Sequence, residues 1–209
     1  RLQALGGIVS AHHCDVADRA SVDAAFAATL KAHGRVDGLF ANAGITGQNK
    51  GPFINRDMDD WQRVMAANVD GVAHCFQVAA RHMVERAKAG DPFGRLVATS
   101  SVASIEGAAY NEHYGASKGA VNSFVRAIAV ELARHGITAN TILPGWIETD
   151  MTSRALGDDK FVKAVSPRIP ARRFGVPADF GGIAVYLMST ASSYQTGQAL
   201  VIDGGYTIF

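Results

Sequence analysis

The chain has 209 residues, of which 48% are apolar and 19% charged, and its formal net charge is +1. This composition is typical of a folded globular protein, because a disordered chain would combine low hydrophobicity with high net charge. The near balance of acidic and basic side chains gives no electrostatic signature for binding nucleic acid or an anionic membrane. Since no apolar run reaches about 18 residues, the sequence also predicts no membrane-spanning helix.

The two cysteines, Cys14 and Cys75, are too few for a disulfide framework. They indicate reduced thiols of an intracellular protein, and we therefore expect a cytoplasmic location. His12, His13, Cys14 and Asp15 form a cluster of potential metal ligands. However, successive residues of a strand point to opposite faces and do not converge on one ion, so we expect no metal site.

Short apolar segments alternate with longer helical patterns along the chain. Five strands are predicted, over residues 8–14, 36–41, 95–99, 137–143 and 199–202. Four helices are predicted, from Ser21 to about Gly34, from Asp57 through Met83, from about Tyr114 to His135, and from Pro177 to about Met188. This alternation predicts a doubly wound α/β fold of the Rossmann type, with one parallel sheet between helices, in a single domain over residues 1–209.

Polar residues, glycines and a proline follow the predicted strands. They are Asp15, then Asn42, Ala43 and Gly44, then Ser100 and Ser101, and finally Pro144 and Gly145. Each group alone is better explained as an ordinary turn. Because ligands bind outside the carboxyl ends of the strands in open parallel sheets, their recurrence at one sheet edge predicts a binding site there.

Tyr114 and Lys118 lie four residues apart near the start of a predicted helix, which places both side chains on one helix face. A free tyrosine has a pKa of about 10. A nearby ammonium group and the positive end of the helix dipole both favour the phenolate. We therefore expect a lowered pKa for Tyr114, which would make it a proton donor and acceptor near neutral pH. The alternative is a surface tyrosine beside a solvated lysine.

Two further polar residues fit the same chemistry. Ser101 stands at the carboxyl end of a predicted strand, where its hydroxyl can bind the substrate oxygen that Tyr114 protonates. Asn68 lies in the middle of a long helical pattern, although asparagine is a poor helix former. The alternative for Asn68 is an ordinary polar residue on the helix surface.

Several motifs, taken in order and spacing, resemble those of the short-chain dehydrogenase/reductase family. They are Asn42-Ala43-Gly44, Asn68-Val69-Asp70-Gly71, Ser101, Tyr114-x-x-x-Lys118 and Pro144-Gly145-x-x-x-Thr149. The segment from Thr196 to Gly205 also resembles the last strand of that family and its flanks. The resemblance covers essentially the whole chain. It is nearest to the bacterial 3-oxoacyl-acyl-carrier-protein reductases and to the sugar or polyol dehydrogenases, and leaves both substrate classes open.

The resemblance implies a catalytic tetrad of Asn68, Ser101, Tyr114 and Lys118. Tyr114 would be the acid/base, and Ser101 would hold the oxygen of the carbonyl or alcohol. Lys118 would lower the pKa of Tyr114 and bind the nicotinamide ribose. The main chain of Asn68 would hold a water that links Lys118 to solvent as a proton relay.

The resemblance also implies NAD or NADP as the cofactor. Asp15 and Val16 would bind its adenine edge. Asn42, Ala43 and Gly44 would line the adenosine ribose side. The nicotinamide end would be held by Pro144, Gly145, Thr149 and the backbone of Ile147.

The family's opening motif is missing from this sequence. Members begin with a strand and a T-G-x-x-x-G-x-G turn, which binds the cofactor phosphates at a helix N-terminus. No such motif follows a strand here, and the family's first two strands have no counterpart. We therefore expect a longer natural protein, with roughly 40 to 55 further residues, because a βαβ unit takes about 30 or more. The side chain that selects NAD or NADP would lie in that segment.

The irregular stretch over residues 149–175 corresponds, by the resemblance, to a mobile lid over the substrate. Its basic side chains form either a solvated face or a docking site for an acidic carrier protein or for a phosphorylated or carboxylated substrate; they are Arg154, Lys160, Lys163, Arg168, Arg172 and Arg173. Four aromatic or apolar residues are candidate pocket walls, although each is also explained as core: Tyr110, Trp146, Met151 and Phe161. His113, next to Tyr114, is expected at the surface at the start of its helix; the alternative is that it lies at the edge of the pocket.

The sequence thus predicts an oxidoreductase that transfers a hydride between NAD(P) and a small ketone or secondary alcohol. An alternative is a truncated, non-catalytic family member that acts as a binding or oligomer-scaffold protein, which the intact tetrad argues against. An epimerase or dehydratase of nucleotide sugars also uses Tyr-x-x-x-Lys, but the chain after Lys118 leaves little room for a second substrate domain. The apolar C-terminus over residues 206–209 predicts a homo-oligomer, and the resemblance implies a tetramer.

Overall fold

A computed structural model of the chain describes residues 6–48 and 51–209. Its sheet has four parallel strands in the order β1–β2–β3–β4. The strands are β1 (Gly38–Ala41), β2 (Gly94–Thr99), β3 (Ile137–Pro144) and β4 (Ala199–Ile202). The α-helices are α1 (Arg19–His33), α2 (Met58–Met65), α3 (Gly71–Lys88), α4 (Glu112–Leu132), α5 (Ser153–Leu156), α6 (Asp159–Val165) and α7 (Gly181–Met188).

Helices cover both faces of this sheet. On one face, Leu96 of β2 is fully buried in a cluster with Phe76 of α3 and Val121 of α4. On the other face, the neighbouring Val97 packs in a separate cluster with Leu187 of α7. Because side chains alternate along a strand, one strand supplies both clusters. The predicted doubly wound parallel sheet between helices is confirmed.

The strand predicted over residues 8–14 is wrong. These residues form no strand, and the side chain of Ile8 is 92% exposed. A strand exists only as part of a hydrogen-bonded ladder, and β1 pairs with β2 alone among the described residues. An apolar run without a neighbouring strand therefore stays unpaired, whatever its β-propensity.

Helix α1 begins before the predicted cap at Ser21. Asp18 is the N-cap, and its carboxylate accepts a hydrogen bond from the amide of Ala20 at 3.0 Å. The Ser21 hydroxyl instead accepts a hydrogen bond from the amide of Asp15 at 2.9 Å, which fixes the preceding turn. The helix ends at Gly34, with a left-handed φ of 78°, as predicted.

The long helix predicted from Asp57 is interrupted once. Asp57 caps α2 through the amide of Asp59, and a π-helical turn over Ala66–Asp70 then joins α2 to α3. Such turns insert one residue into the helical ladder and are frequent at functional sites. This turn contains Asn68.

The stretch predicted as a lid contains α5, α6 and the 3-10 turn Ser166–Arg168. It leaves the sheet next to Ile147 and returns at Gly175, where the two residues form an isolated parallel bridge. Hydrogen bonds join the amide of Gly175 to the carbonyl of Trp146, and the amide of Glu148 to the carbonyl of Gly175, each at 2.9 Å. The base of the stretch is therefore fixed, and its mobility stays a prediction.

Within the described part of the chain, we find no helix whose length and hydrophobicity would let it cross a bilayer.

Candidate active site

A cleft of about 480 Å³ opens at the carboxyl ends of the strands. It brings together most of the residues that the sequence singles out: Asn42, Gly44, Ser101, Tyr114, Lys118, Pro144, Gly145, Ile147 and Thr149. Four others do not line it: Asp15, Val16, Ala43 and Asn68. The predicted binding edge of the sheet is therefore a real cavity, with a subset of the expected residues in its wall.

Tyr114, Ser101 and Lys118 come together where the end of β2 meets the first turns of α4. A side-chain hydrogen bond joins Tyr114 to Ser101. Lys118 is buried, its Nζ donates to the carbonyl of Thr99 at 2.7 Å, and it lies 5.6 Å from the centre of the Tyr114 ring. The Ser100 hydroxyl donates to the carbonyl of Lys118 at 3.0 Å, which ties α4 to the strand end.

The pKa values of the two catalytic candidates move apart. Burial raises the pKa of Tyr114 above its usual value, and the hydrogen bond with Ser101 opposes this only in part. Burial lowers the pKa of Lys118 to about 8. In the ligand-free cleft the pKa of Tyr114 is therefore raised and not lowered as expected, because desolvation dominates. At neutral pH Tyr114 is a phenol, ready to donate a proton.

Asn68 is fully buried, so the alternative of a polar surface residue is wrong. Its side-chain amide accepts from the amide of Ile45 at 2.8 Å, and donates to the carbonyl of Ile45 and the hydroxyl of Ser117, both at 2.9 Å. A Cβ atom at Gly44 would lie 3.2 Å from both Asn68 Oδ1 and Lys118 Nζ. Asn68 of the π-helical turn thus holds the loop after β1 in place, with Gly44 of that loop close to Lys118.

Asp15 and Val16 lie beside the start of α3, outside the wall of the cleft. The Asp15 carboxylate is exposed and accepts from the amide of Ala17 at 3.0 Å. The carbonyl of Val16 is 3.0 Å from Nδ1 of His74, and a Cβ at Gly71 would come within 2.7 Å of the Val16 side chain. The family motif's glycine at position 71 therefore allows Val16 to sit on the helix. Ala43 is exposed next to the cleft.

The turn after β3 comes close to the C-terminal strand. A Cβ at Gly145 would lie 2.6 Å from the Cβ and 2.8 Å from the Cα of Asp203. The amide of Gly145 donates to the carbonyl of Ile202 at 3.0 Å. Thr149 is held by Thr152, whose Oγ1 accepts from the amide of Thr149 at 3.1 Å. Only glycine at position 145 lets this turn approach β4 so closely.

His113 is fully buried, which corrects its expected place at the surface. Its Nε2 lies 3.4 Å from Oδ2 of Asp60, and its ring stacks on that of Trp61 with centroids 6.3 Å apart. The same carboxylate oxygen of Asp60 accepts from the amide of Gln48 at 2.9 Å. The residue next to Tyr114 is thus locked between α2 and the loop after β1. Sequence inspection missed this, because Asp60 and His113 carry no shared motif.

A second cleft, of about 740 Å³, shares Met151 with the first. Its wall comes from the loop after β1, the start of the lid and the segment before α2: Thr46, Gly47, Gln48, Gly51, Pro52, Asn55, Arg56, Met151, Arg154, Ala155, Asp158 and Phe161. Most of these residues were missed in the sequence, because only the fold brings the three segments together.

The four residues proposed as pocket walls lie in different places in the fold. Met151 lines both clefts, and Phe161 lines the second. Trp146 packs edge-on against Phe161 at 4.8 Å, in a small core with Tyr206. Tyr110 is exposed, has a positive φ of 63° and lines neither cleft. Among the residues that the structure describes, no group of histidine, cysteine or acidic side chains is placed to hold a metal ion.

Comparisons with known proteins agree with this geometry. A family profile described as enoyl-(acyl carrier protein) reductase matches residues 1–207. Gluconate 5-dehydrogenase of Gluconobacter oxydans is 37% identical over 194 residues, which are 93% of this chain and 73% of that protein. The 3-oxoacyl-acyl-carrier-protein reductase of Chlamydia pneumoniae is 35% identical over 206 residues, 99% of this chain and 79% of that protein.

A solved structure has the same fold. The crystal structure of a gluconate 5-dehydrogenase from Burkholderia cenocepacia, in complex with NADP and tartrate, aligns with a TM-score of 0.91 at 34% identity. The alignment covers 99% of this chain and 78% of that chain. The likeness therefore extends over the sheet, both layers of helices and the cleft.

Proposed function

The chain belongs to the short-chain dehydrogenase/reductase family, and from this premise we propose that it transfers a hydride between NAD(P) and a ketone or secondary alcohol. One observation carries the proposal: Ser101, Tyr114 and Lys118 line a single cleft at the carboxyl ends of parallel strands. A phenol, a hydroxyl and an amine at one point are what proton transfer to a carbonyl oxygen requires. Hydrogen-bond donors aimed at that oxygen also stabilise the negative charge that develops on it.

In the reducing direction, Ser101 and Tyr114 bind the carbonyl oxygen of the substrate. Tyr114 donates its phenolic proton as charge develops on that oxygen, and its raised pKa keeps the proton in place until then. Lys118, with its Nζ held by the carbonyl of Thr99, stabilises the phenolate that results. In the oxidising direction the same groups act in reverse, with Tyr114 as the base.

The cleft suits the nicotinamide end of a dinucleotide. It combines apolar walls, which a flat ring can contact, with hydroxyl and amino groups, which a ribose can bind. NAD or NADP, when bound, supplies or accepts the hydride. We assign its nicotinamide end to Lys118, Pro144, Gly145, Ile147 and Thr149.

We also assign residues to the adenosine end of the cofactor and to the proton relay. Asn42, Ala43 and Gly44 would bind the ribose of the adenosine, and Asp15 with Val16 the adenine. Since the side chain of Asn68 is fully used by Ile45 and Ser117, a water of the proton relay would bind its main chain. The free cysteines Cys14 and Cys75 support a cytoplasmic location.

The experiment is a panel of ketones and secondary alcohols, assayed with both NAD(H) and NADP(H) on the purified protein. We expect cofactor-dependent turnover of at least one substrate pair, together with micromolar binding of one cofactor. If neither cofactor binds below millimolar concentration and no substrate is turned over, the protein is a non-catalytic member of its family. That outcome would support the scaffold alternative.

A further inference from the structure

The second cleft adjoins the catalytic one, and Met151 lines both. A substrate whose reacting carbon lies beside Tyr114 would reach the second cleft by extending past the Met151 side chain. The chemistry of the second cleft then decides which substrates fit. Its wall includes the side chains of Gln48, Asn55 and Arg154, which are all exposed to solvent.

The six basic side chains of the lid stretch make different contacts in the fold. Arg172 donates to the carbonyl of Pro167 at 2.9 Å. Arg173 forms an ion pair with Asp179 at 2.7 Å. Arg168 stacks over a ring in the small core, and Lys160 and Lys163 lie outside both clefts. Of the six, only Arg154 lines either of these two clefts, so the basic stretch as a whole does not face them as one docking surface.

Arg154 has no ion pair or hydrogen bond to any other described residue, and its guanidinium is open to the second cleft. The other cation of that wall, Arg56, is buried and paired with Glu112 at 2.7 Å. Arg56 also donates to the carbonyls of Gly51 and Tyr110. Arg154 is therefore the guanidinium of this cleft that a ligand can engage.

A guanidinium with free donors binds a carboxylate through two parallel hydrogen bonds. The amides of Gln48 and Asn55 donate to and accept from hydroxyl groups. Asp158, whose carboxylate accepts from the amide of Lys160 at 2.9 Å, would accept from a further hydroxyl and repel an anion placed beside it. The wall mixes these polar groups with Pro52, Met151, Ala155 and Phe161. A long acyl chain would therefore lie against polar as well as apolar side chains, whereas a short chain with hydroxyls and one carboxylate offers a partner to each polar group.

We propose that the second cleft binds the far end of a small polyhydroxylated carboxylate, and that Arg154 is the anchor for its carboxylate. The reacting ketone or alcohol carbon of that substrate lies in the first cleft. This inference rests on the proposed hydride transfer and names its substrate class. Of the two substrate classes that the sequence leaves open, acyl-carrier-protein thioesters and sugars or polyols, the second is favoured, in the form of sugar acids.

The test uses ketone pairs that differ only in carboxylate against hydroxymethyl: 5-keto-D-gluconate with L-sorbose, and 2-keto-D-gluconate with D-fructose. Reduction is measured with the preferred cofactor in the wild type, Arg154→Met and the matched control Lys160→Met. We expect the wild type to favour a carboxylate member by about tenfold to a hundredfold in kcat/KM, mainly through KM, as for a hydrogen bond to a charged group. Arg154→Met should lose this preference, and Lys160→Met should keep it.

The melting temperatures of both variants report whether folding is intact; both sites are exposed, so little change is expected. Equal rates within each pair, faster reduction of D-fructose 6-phosphate, or an unchanged preference in Arg154→Met would overturn the assignment of Arg154. In those cases other ketones are still reduced and the proposed function stands. If no ketone or alcohol of any class reacts with either cofactor, the proposed function itself fails.

Discussion

Tyr114 and Lys118 share one face of α4, yet burial moves their titrations in opposite senses. It raises the pKa of the phenol and lowers that of the ammonium to about 8. Both shifts favour the neutral forms, as expected for groups withdrawn from water without a charged partner, although Lys118 still carries its proton at neutral pH. The ligand-free site is therefore set to donate a proton from Tyr114.

Replacing Tyr114 with phenylalanine removes that proton and little else. We expect turnover to fall by about a hundredfold to ten-thousandfold, the usual contribution of general acid catalysis, with a nearly unchanged melting temperature. Tyr110→Phe is the matched control, since Tyr110 is exposed and lines neither cleft. Full activity of Tyr114→Phe would remove Tyr114 from the mechanism.

Lys118 gives the ligand-free protein a specific pH dependence of stability. Because its pKa falls from 10.5 in the unfolded chain to about 8 in the fold, the unfolded state binds more protons between these values. The free energy of unfolding should therefore rise with pH there, by about 1.5 kcal/mol between pH 8 and 9.5. Above pH 10, the raised pKa of Tyr114 acts in the opposite direction.

Urea unfolding of the wild type and Lys118→Met at several pH values isolates this contribution. The variant should lack the rise, since methionine does not titrate. Parallel curves for the two proteins would show that Lys118 does not titrate in this range.

At the residue scale, the spacing of Tyr114 and Lys118 could be predicted because the helical period places such a pair on one face. The contact between His113 and Asp60 could not, since the partners are 53 positions apart, with α3 and β2 between them. The same holds for Arg154, whose place in a cleft depends on a loop and a segment far away in the sequence.

At the scale of elements, the turns after the strands form the site, and their glycines set how closely they approach. Gly145 is the clearest case, because a Cβ there would clash with backbone as well as side-chain atoms of Asp203. Backbone atoms cannot move aside as a flexible side chain can. The turn that presents Pro144 to the cleft therefore depends on this glycine.

We expect Gly145→Ala to lower stability by about 1–3 kcal/mol, as overpacking does, and to weaken cofactor binding. Gly107→Ala is the control, since a Cβ at that position meets no atom within 4 Å. Urea unfolding and cofactor titration measure both effects. A Gly145→Ala protein with wild-type stability and cofactor affinity would show that the turn has more room than the structure indicates.

Element type could be predicted wherever an apolar pattern also found its partner in the fold. This holds for strands β1 to β4, each of which pairs with a neighbour. The prediction of a strand over residues 8–14 is wrong because pairing requires a neighbouring strand, which the residues of the run do not themselves supply. The π-helical turn at Asn68 could be predicted only in part. An asparagine within a helical pattern marks an irregularity, but not its kind.

At the scale of the whole molecule, apolar side chains remain exposed on α7, on β4 and at the C-terminus. Val185 is 71% exposed, and Val201, Ile208 and Phe209 are also exposed. Patches of this kind on a protein surface mark interaction sites. We propose that a second copy of the chain covers them, as in the homotetramer expected from the sequence.

Val185→Asp should then shift the protein toward smaller species in analytical ultracentrifugation, because it buries an unpaired charge in the interface. Ile54→Asp is the control, on a residue of the Phe53–Asn55 turn that is even more exposed than Val185. A wild type that sediments as a monomer would contradict the proposed assembly.

We propose that a hydride reaches the carbonyl carbon of the substrate within the cleft that contains Tyr114. The most direct test of this transfer is reduction of a ketone with NADH or NADPH carrying deuterium at the transferred position of the nicotinamide, followed by mass spectrometry of the product. We expect an alcohol one mass unit heavier with the wild type and almost no product with Tyr114→Phe. An alcohol without deuterium, or no reduction of any ketone by the wild type, would contradict it.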